Sequence, residues 1–99
     1  MVKRVHLLIL LNKYLMTQSK IKEDVRKVLA GEIWVREEQI KDDNTLGDDM
    51  GMDSFDIITL VVKIEELYNI EFPVSTIDEM KKLTLQDVVR FVEKEIDKL

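Results

Sequence analysis

The feature that most constrains the fold is the helical spacing of apolar residues, which recur every three or four positions in separate segments. The first segment begins near Ser19 and is expected to end between Gly31 and Val35. Its apolar positions are Ile21, Val25, Val28, Leu29 and Ile33. No stretch alternates apolar and polar residues as a half-buried strand would. The sequence therefore predicts an all-α fold.

A second helix is expected from about Ser54 to Tyr68, because Asn69 and Pro73 are typical of residues that follow a helix. At about 100° per residue, one arc of this helix is apolar and forms a normal core face. The residues of that arc are Ile57, Leu60, Val61, Ile64, Leu67 and Tyr68.

Capping pairs divide the rest of the chain. The spacing of Ser75 with Asp78, and of Thr76 with Glu79, fits a capping box and predicts one short helical turn that ends near Lys81. The same spacing recurs before the apolar seam of a last helix. That pair is Thr84 with Asp87, and the seam is Leu85, Val88, Val92, Ile96 and Leu99. The prediction is a small antiparallel bundle of three main helices plus one short helix.

Residues 35–53 form a long first loop between the first two helices. They lose the helical period and are rich in Asp, Asn and Gly. Ile40, Leu46 and Met50 are isolated apolar residues that are expected to pin this loop to the core. A loop of this length in so small a domain is usually functional.

The chain of 99 residues allows one domain, which we assign to residues 17–99. Residues 1–16 are predicted to be a leader or N-terminal extension outside the core. The apolar run within them, from Val5 to Leu11, is too short to span a bilayer. A short helix that binds a partner or a membrane surface is the alternative for this segment.

Charge and composition exclude several classes of function. The net charge is −5, and residues 1–15 contain three basic residues and no acid, which leaves 12 basic and 20 acidic residues elsewhere, a balance of −8. Binding to nucleic acid is therefore disfavoured, and a basic partner is expected. The absence of cysteine excludes disulfides and thiolate chemistry on the chain itself.

Neither a catalytic centre nor a metal site is expected. The one histidine, His6, lies in the leader, so it offers no nearby base that would make Ser54 a nucleophile. Residues 42–53 resemble the spacing of an EF-hand with Gly47 at the sixth position. However, Leu46 occupies a ligand position and Asp53 replaces the bidentate glutamate, so we predict no calcium site.

A second set of apolar residues projects from the second helix roughly opposite its core arc. Phe55, Ile58 and Val62 form this set, which we call the apolar stripe. The residues that flank it are Asp56, Thr59, Glu65 and Glu66. A domain with so few helices cannot easily surround one of them on both sides, so the stripe is interpreted as a docking face with an acidic rim. Additional core packing is the alternative.

Ser54 stands where this helix begins. If Asp53 is the N-cap, Asp56 lies at the third helical position, and both acids complement the amides of the first turn. The Ser54 hydroxyl would then point to solvent at a helix N-terminus, where a phosphate is well received. The alternative is that Ser54 itself is the N-cap.

The segment DMGMDSFD followed by IITLVVKIEELYNIEFP closely resembles the D-x-G-x-D-S-L-D motif and recognition helix of acyl carrier proteins, and the likeness extends from about Ser19 to Asp97. This resemblance implies that Ser54, preceded by the motif residue Asp53, receives 4'-phosphopantetheine from coenzyme A. A separate phosphopantetheinyl transferase would perform that reaction. The protein itself would not be an enzyme.

The resemblance also implies the partners and setting of the protein. It would carry acyl groups as thioesters in a fatty acid, polyketide or related specialised pathway. Its partners would be the transferase and the acyl-loading and acyl-processing enzymes with basic docking patches, with no nucleic acid and no stable membrane insertion. It would be a cytoplasmic monomer.

Three residues depart from the family pattern and indicate a dedicated pathway. Phe55 replaces the usual leucine, Thr59 stands where glutamate is common, and Lys63 adds a positive charge. A peptidyl or aminoacyl carrier is the nearest alternative function. An unmodified helical module for protein interaction is the alternative from a different class.

Overall fold

The computed structural model describes residues 18–72 and 76–98. Over this part of the chain four α-helices follow one another. They are α1 (Gln18–Ile33), α2 (Ser54–Tyr68), α3 (Ile77–Lys82) and α4 (Leu85–Asp97). Helix α1 packs against both α2 and α4, and α3 contacts α2. The prediction of an all-α bundle with three main helices and one short helix is confirmed. The predicted leader (residues 1–16), Ser75 and Leu99 lie outside the described residues.

Capping interactions set the helix bounds. The Thr76 hydroxyl accepts a hydrogen bond from the Glu79 amide at 3.1 Å, and the Thr84 hydroxyl accepts one from the Asp87 amide at 3.1 Å. Helix α2 ends at Tyr68 and is capped by Asn69, which adopts the left-handed conformation at φ 55° that asparagine tolerates. The starts of α3 and α4 therefore follow from the pairs that the sequence showed.

The core is formed by apolar side chains from all four helices and from the loop between α1 and α2. Among the described residues, no polar or charged side chain is buried. The side chains with no exposed surface include Ile21, Val25, Leu29, Leu46, Ile57, Leu60, Ile64, Leu85, Val88, Val89 and Val92. The core face predicted for α2 is correct at Ile57, Leu60, Ile64 and Tyr68, and Val61 packs partly against the core.

The prediction that Leu67 lies in the core is wrong, because its side chain is 52% exposed. Leu67 follows Lys63 by one helical turn, so it lies on the same edge of the arc as this exposed charged residue. The end of α1 that reaches the last turn of α2 contributes the polar residue Asp24, which bonds Tyr68 rather than covering Leu67.

Helices α1 and α2 run antiparallel, as two contacts between them show. Tyr68, at the end of α2, donates a hydrogen bond at 3.1 Å to the carboxylate of Asp24, in the first half of α1. Lys63 forms an ion pair with Glu32, near the end of α1. The C-terminal end of α1 therefore lies on the side of α2 that leads toward Ser54.

The loop between α1 and α2 is attached to the junction of α3 and α4. The amide of Leu46 donates to the Leu83 carbonyl at 2.9 Å, and that of Gly47 donates to the Lys81 carbonyl at 2.9 Å. A Cβ on residue 47 would lie 2.9 Å from the Cβ of Lys81, so this close approach requires glycine. Ile40 and Leu46 are buried and Met50 packs partly against the core, so the predicted pinning of the loop is confirmed.

Ion pairs attach the same loop to α1. Lys22 and Arg26 contact the two carboxylate oxygens of Asp42 at 2.7 and 2.6 Å. The hydrogen bond from Lys22 is the main cause that holds the pKa of Asp42 below its usual value. The loop also contains a short 3₁₀ turn at Glu37–Gln39 that the sequence did not predict.

Candidate functional site

Asp53 is the residue that caps α2, and Ser54 is the first residue of the helix. The Asp53 carboxylate accepts a hydrogen bond from the Asp56 amide at 2.8 Å, and the Asp56 carboxylate accepts one from the Asp53 amide at 3.2 Å. This reciprocal pair satisfies two of the backbone donors at the helix start. The alternative in which Ser54 is the N-cap is therefore wrong, and the exposed serine hydroxyl is not used to start the helix.

The residues before Ser54 fix where the helix begins. Gly51 has φ +69°, and nothing lies within 4 Å of a Cβ added there, so only its backbone conformation requires glycine. The next residue, Met52, turns into the core and is 3% exposed, and its amide donates to the Leu46 carbonyl at 3.0 Å. The burial of Met52 thus attaches the chain to the core just before Ser54, and Ser54 itself is exposed.

The surroundings of Ser54 fit a bulky attached group. Its side chain is exposed, and the amides of the first turn give this end of α2 a partial positive charge. The carboxylates of Asp53 and Asp56 already bond each other's amides, so they hold the backbone without covering the serine. Among residues 18–72 and 76–98, no cluster of three histidine or carboxylate side chains could hold a metal ion.

The apolar stripe lies on the surface of α2. Phe55, Ile58 and Val62 are 76%, 52% and 45% exposed, whereas Ile57 and Leu60 on the opposite face are fully buried. The alternative in which the stripe belongs to the core is wrong. Three apolar side chains in successive turns of one exposed helix face are typical of a surface that another protein covers.

The residues predicted to form the rim of the stripe have different environments. Thr59 is half-buried and donates its hydroxyl to the Phe55 carbonyl of its own helix at 3.0 Å. Glu66 is exposed. Glu65 is half-buried, and its carboxylate accepts a hydrogen bond from the Phe72 amide at 2.9 Å. Glu65 therefore also holds the segment that follows α2.

Charge on this surface is negative. Residues 53–66 contain four carboxylates and one lysine, a net charge of −3. That lysine, Lys63, is paired with Glu32 of α1, so its positive charge is largely offset. The surface that surrounds Ser54 and the stripe is thus suited to a partner with basic residues.

The sequence interpretation did not single out Trp34, which is the most exposed large apolar residue in the described ranges. It lies directly after α1, is 92% exposed and has φ 59°. The signal in the sequence is a tryptophan at the position after a helix, where glycine is usual. None of the described helices is long and apolar enough to cross a membrane.

Comparison with known proteins gives a consistent result. Residues 23–92 match the family described as phosphopantetheine attachment site. The acyl carrier protein of Wolinella succinogenes is 36% identical over 72 residues, which are 72% of this chain and 91% of that protein. That of Campylobacter lari is 35% identical over 71 residues, 72% of this chain and 90% of that protein. That of Chlorobium phaeobacteroides is 30% identical over 79 residues, 80% of this chain and 99% of that protein.

The matched residues begin within α1 and end within α4, so they include the pinned loop, Ser54 and all of α2. Proteins of this family are carriers rather than enzymes, and the cofactor they use is 4'-phosphopantetheine attached to a serine. The helical bundle, the family match and the extent of the likeness to three bacterial carriers agree. The chain therefore belongs to the acyl carrier protein family.

Proposed function

We propose that Ser54 is the serine that carries 4'-phosphopantetheine, and that this chain presents acyl groups on it to partner enzymes. The observation that carries the proposal is that two different residues cap α2 and offer a free hydroxyl at its start. Asp53 caps the helix, and the neighbouring Ser54 leaves its hydroxyl exposed. When attached, the group supplies the thiol that holds an acyl chain as a thioester, which a chain without cysteine does not supply itself.

The attachment reaction requires a separate enzyme. The Ser54 oxygen forms a bond to the phosphorus of coenzyme A that bears the pantetheine, the pyrophosphate bond breaks, and adenosine 3',5'-bisphosphate leaves. The hydroxyl proton passes to a base of the transferase, because the carboxylates of Asp53 and Asp56 near Ser54 are already engaged in capping. The chain contributes an accessible nucleophile at a fixed position.

The apolar stripe and its acidic rim form the docking face in this proposal. Phe55, Ile58 and Val62 would enter apolar pockets, while Asp56, Glu66 and the exposed part of Glu65 would meet basic residues of the partner. Thr59 lies between these groups and would contact the partner. The expected partners are the phosphopantetheinyl transferase and the acyl-loading and acyl-processing enzymes.

Attachment to Ser54 raises the effective concentration of the acyl group at the active site of a docked partner. A docking face of three apolar anchors and a charged rim favours transient binding, which is what successive partners require. Phe55, Thr59 and Lys63 depart from the usual family pattern in this helix. Their presence supports a role in a dedicated pathway of fatty acid, polyketide or related synthesis. The proposal also holds that the protein acts as a monomer in the cytoplasm.

Intact mass measurement tests the attachment site. The protein is incubated with coenzyme A and a broad-specificity phosphopantetheinyl transferase. We expect wild type to gain one phosphopantetheine, Ser54→Ala to gain none, and Ser19→Ala, which removes an exposed serine of α1, to react as wild type does. Modification of Ser54→Ala would place the attachment elsewhere, and no modification of wild type would support an unmodified interaction module.

A further inference from the structure

Trp34 is held in a conformation that a bulky residue rarely adopts. Its φ of 59° lies in the left-handed region, where the Cβ of an L-residue is strained. The backbone needs this conformation to end α1, since the Val35 amide turns back to the Ala30 carbonyl at 3.2 Å. Glycine would make the same turn without the strain.

The protein gains no internal packing from the indole ring. Trp34 is 92% exposed, whereas the ring contact found among the described residues joins Phe72 and Phe91. An exposed ring at a strained position has two unfavourable features and no internal compensation. Strain of this kind, observed directly, is a reason to look for a function outside the fold.

The position of Trp34 relates it to the docking face. Glu32, two residues earlier, forms an ion pair with Lys63 of α2, which lies one helical turn from the rim residues Thr59 and Glu66. The Cα atoms of residues 32 and 34 are separated by at most about 8 Å. A partner interface of standard size involves about 20 to 30 residues on each side, so one partner can cover both the stripe and Trp34.

The charges near Trp34 indicate the chemistry of that partner. Arg36 pairs with Glu38 at 3.5 Å, and Lys63 pairs with Glu32, so both of these cations are engaged within the protein. Residues 53–66 carry a net charge of −3. A partner with arginine or lysine beside an apolar pocket would complement the carboxylates and place a cation against the indole face.

We propose that Trp34 is an anchor for the phosphopantetheinyl transferase that modifies Ser54, bound in an apolar pocket bordered by arginine or lysine. This inference rests on the proposed function and adds a binding residue outside α2. The transferase is the occupant because its active site must reach the Ser54 hydroxyl itself. It therefore has to bind closely against α2 and the end of α1 beside it, whereas enzymes that act on the acyl group use the same stripe but place their active sites at the far end of the attached arm.

Replacement of Trp34 separates binding from folding. Trp34→Gly relieves the backbone strain, so its melting temperature should equal or exceed that of wild type. With the transferase and coenzyme A, the KM for this variant should rise about tenfold, a loss within the range found for interface anchors, while kcat stays within about twofold. Trp34→Phe, which keeps an aromatic ring, should show a smaller rise in KM.

Leu67→Ala provides a matched control. Leu67 is also an exposed apolar residue, but it lies near the end of α2 that is distant from Ser54 and off the stripe. We expect this variant to raise the KM much less than Trp34→Gly does. An equal rise in KM for Leu67→Ala and Trp34→Gly would mean that exposed apolar surface acts without specificity, and would overturn the assignment of an anchor.

A direct reading is available because Trp34 is the only tryptophan of the chain. Protein labelled with 5-fluorotryptophan should give one fluorine resonance by NMR, and adding unlabelled transferase should shift or broaden it, also in the Ser54→Ala background. A resonance that does not respond to the transferase, or responds only to an acyl-processing enzyme, would overturn the proposal.

The two proposals fail in different ways. If wild type gains no phosphopantetheine, the proposed function fails and the anchor for its transferase fails with it. If wild type is modified but Trp34→Gly has an unchanged KM, only the Trp34 proposal fails. A large drop in the melting temperature of Trp34→Gly would also overturn it, since the ring would then serve the fold.

Discussion

Helix α2 has two apolar faces, and one substitution on each of them should separate folding from docking. Ile64 belongs to the fully buried core cluster, whereas Ile58 on the apolar stripe is 52% exposed. The residue type, the helix and the number of atoms removed are the same in Ile64→Ala and Ile58→Ala. Any difference between the two variants therefore comes from the environment of the side chain.

The core substitution should be severe. Ile64→Ala removes side-chain carbons that have no exposed surface and leaves a cavity in the core, which costs about 2 to 5 kcal/mol. A domain of this size has a free energy of unfolding of roughly 4 to 12 kcal/mol, at about 0.05 to 0.15 kcal/mol per residue. The variant should lose a large share of its stability.

The surface substitution should be mild. Each fully buried carbon of a side chain contributes about 0.8 kcal/mol to the free energy of unfolding. The three carbons that Ile58→Ala removes belong to a side chain that is 52% exposed, so each contributes only about half of that value. Alanine has a higher helix propensity than isoleucine, which adds up to about 0.5 kcal/mol to the stability of the variant. The net loss for Ile58→Ala should be within about 1 kcal/mol.

Urea unfolding followed by circular dichroism gives the two free energies, and steady-state modification of Ser54 gives the KM for the transferase. Ile58→Ala should raise the KM several-fold, as expected for an interface residue worth more than about 1 kcal/mol. Equal destabilisation by the two substitutions would show that the stripe supports the fold. In that case the docking face would have to be abandoned even if Ser54 is modified.

Three further predictions concern charge, pH and the N-terminal segment. Glu66→Lys should weaken association with the transferase most at low salt, because screening is weakest there, and a loss of affinity that does not depend on salt would contradict this. Asp42, whose pKa is lowered mainly by its hydrogen bond from Lys22, should stabilise the fold above the unfolded pKa of about 3.9 and lose this effect as the pH falls through its folded pKa. Asp42→Asn should therefore lower the melting temperature at neutral pH, and this effect should shrink as the pH falls below the unfolded pKa of about 3.9. Deletion of residues 1–15 should change the melting temperature and the modification rate little, and unfolding of the shortened chain would show that this segment supports the core.

Local signals in the sequence were sufficient for the helices. The capping pairs at Thr76 and Thr84 placed the starts of α3 and α4, and Asn69 placed the end of α2. They could not assign Leu67, because a helical wheel shows which residues share a face but not how far a neighbouring helix covers it. The missed burial of Met52 has the same origin, since no period extends through the loop.

Contacts between distant residues account for what the sequence could not predict in the loop. Two kinds of contact join positions that are 16 to 39 residues apart: the β-bridge between Thr45 and Thr84, and the ion pairs of Asp42. No local sequence pattern predicts contacts of this kind. The cap of α2 is a different case. Both Asp53 and Ser54 suit an N-cap, and only the observed bond from Asp56 decides between them.

The arrangement of α2 places stability and function on opposite sides of one helix. Met52 and Leu60 are held by the core, so Ser54 and the stripe project from a support that does not depend on them. Glu65 is an exception to this separation, because its carboxylate belongs to the rim of the docking face and also accepts a hydrogen bond from the Phe72 amide. A substitution there would change folding and docking together. Glu66, exposed beside it, is for this reason the better position at which to measure the charge of the docking face alone.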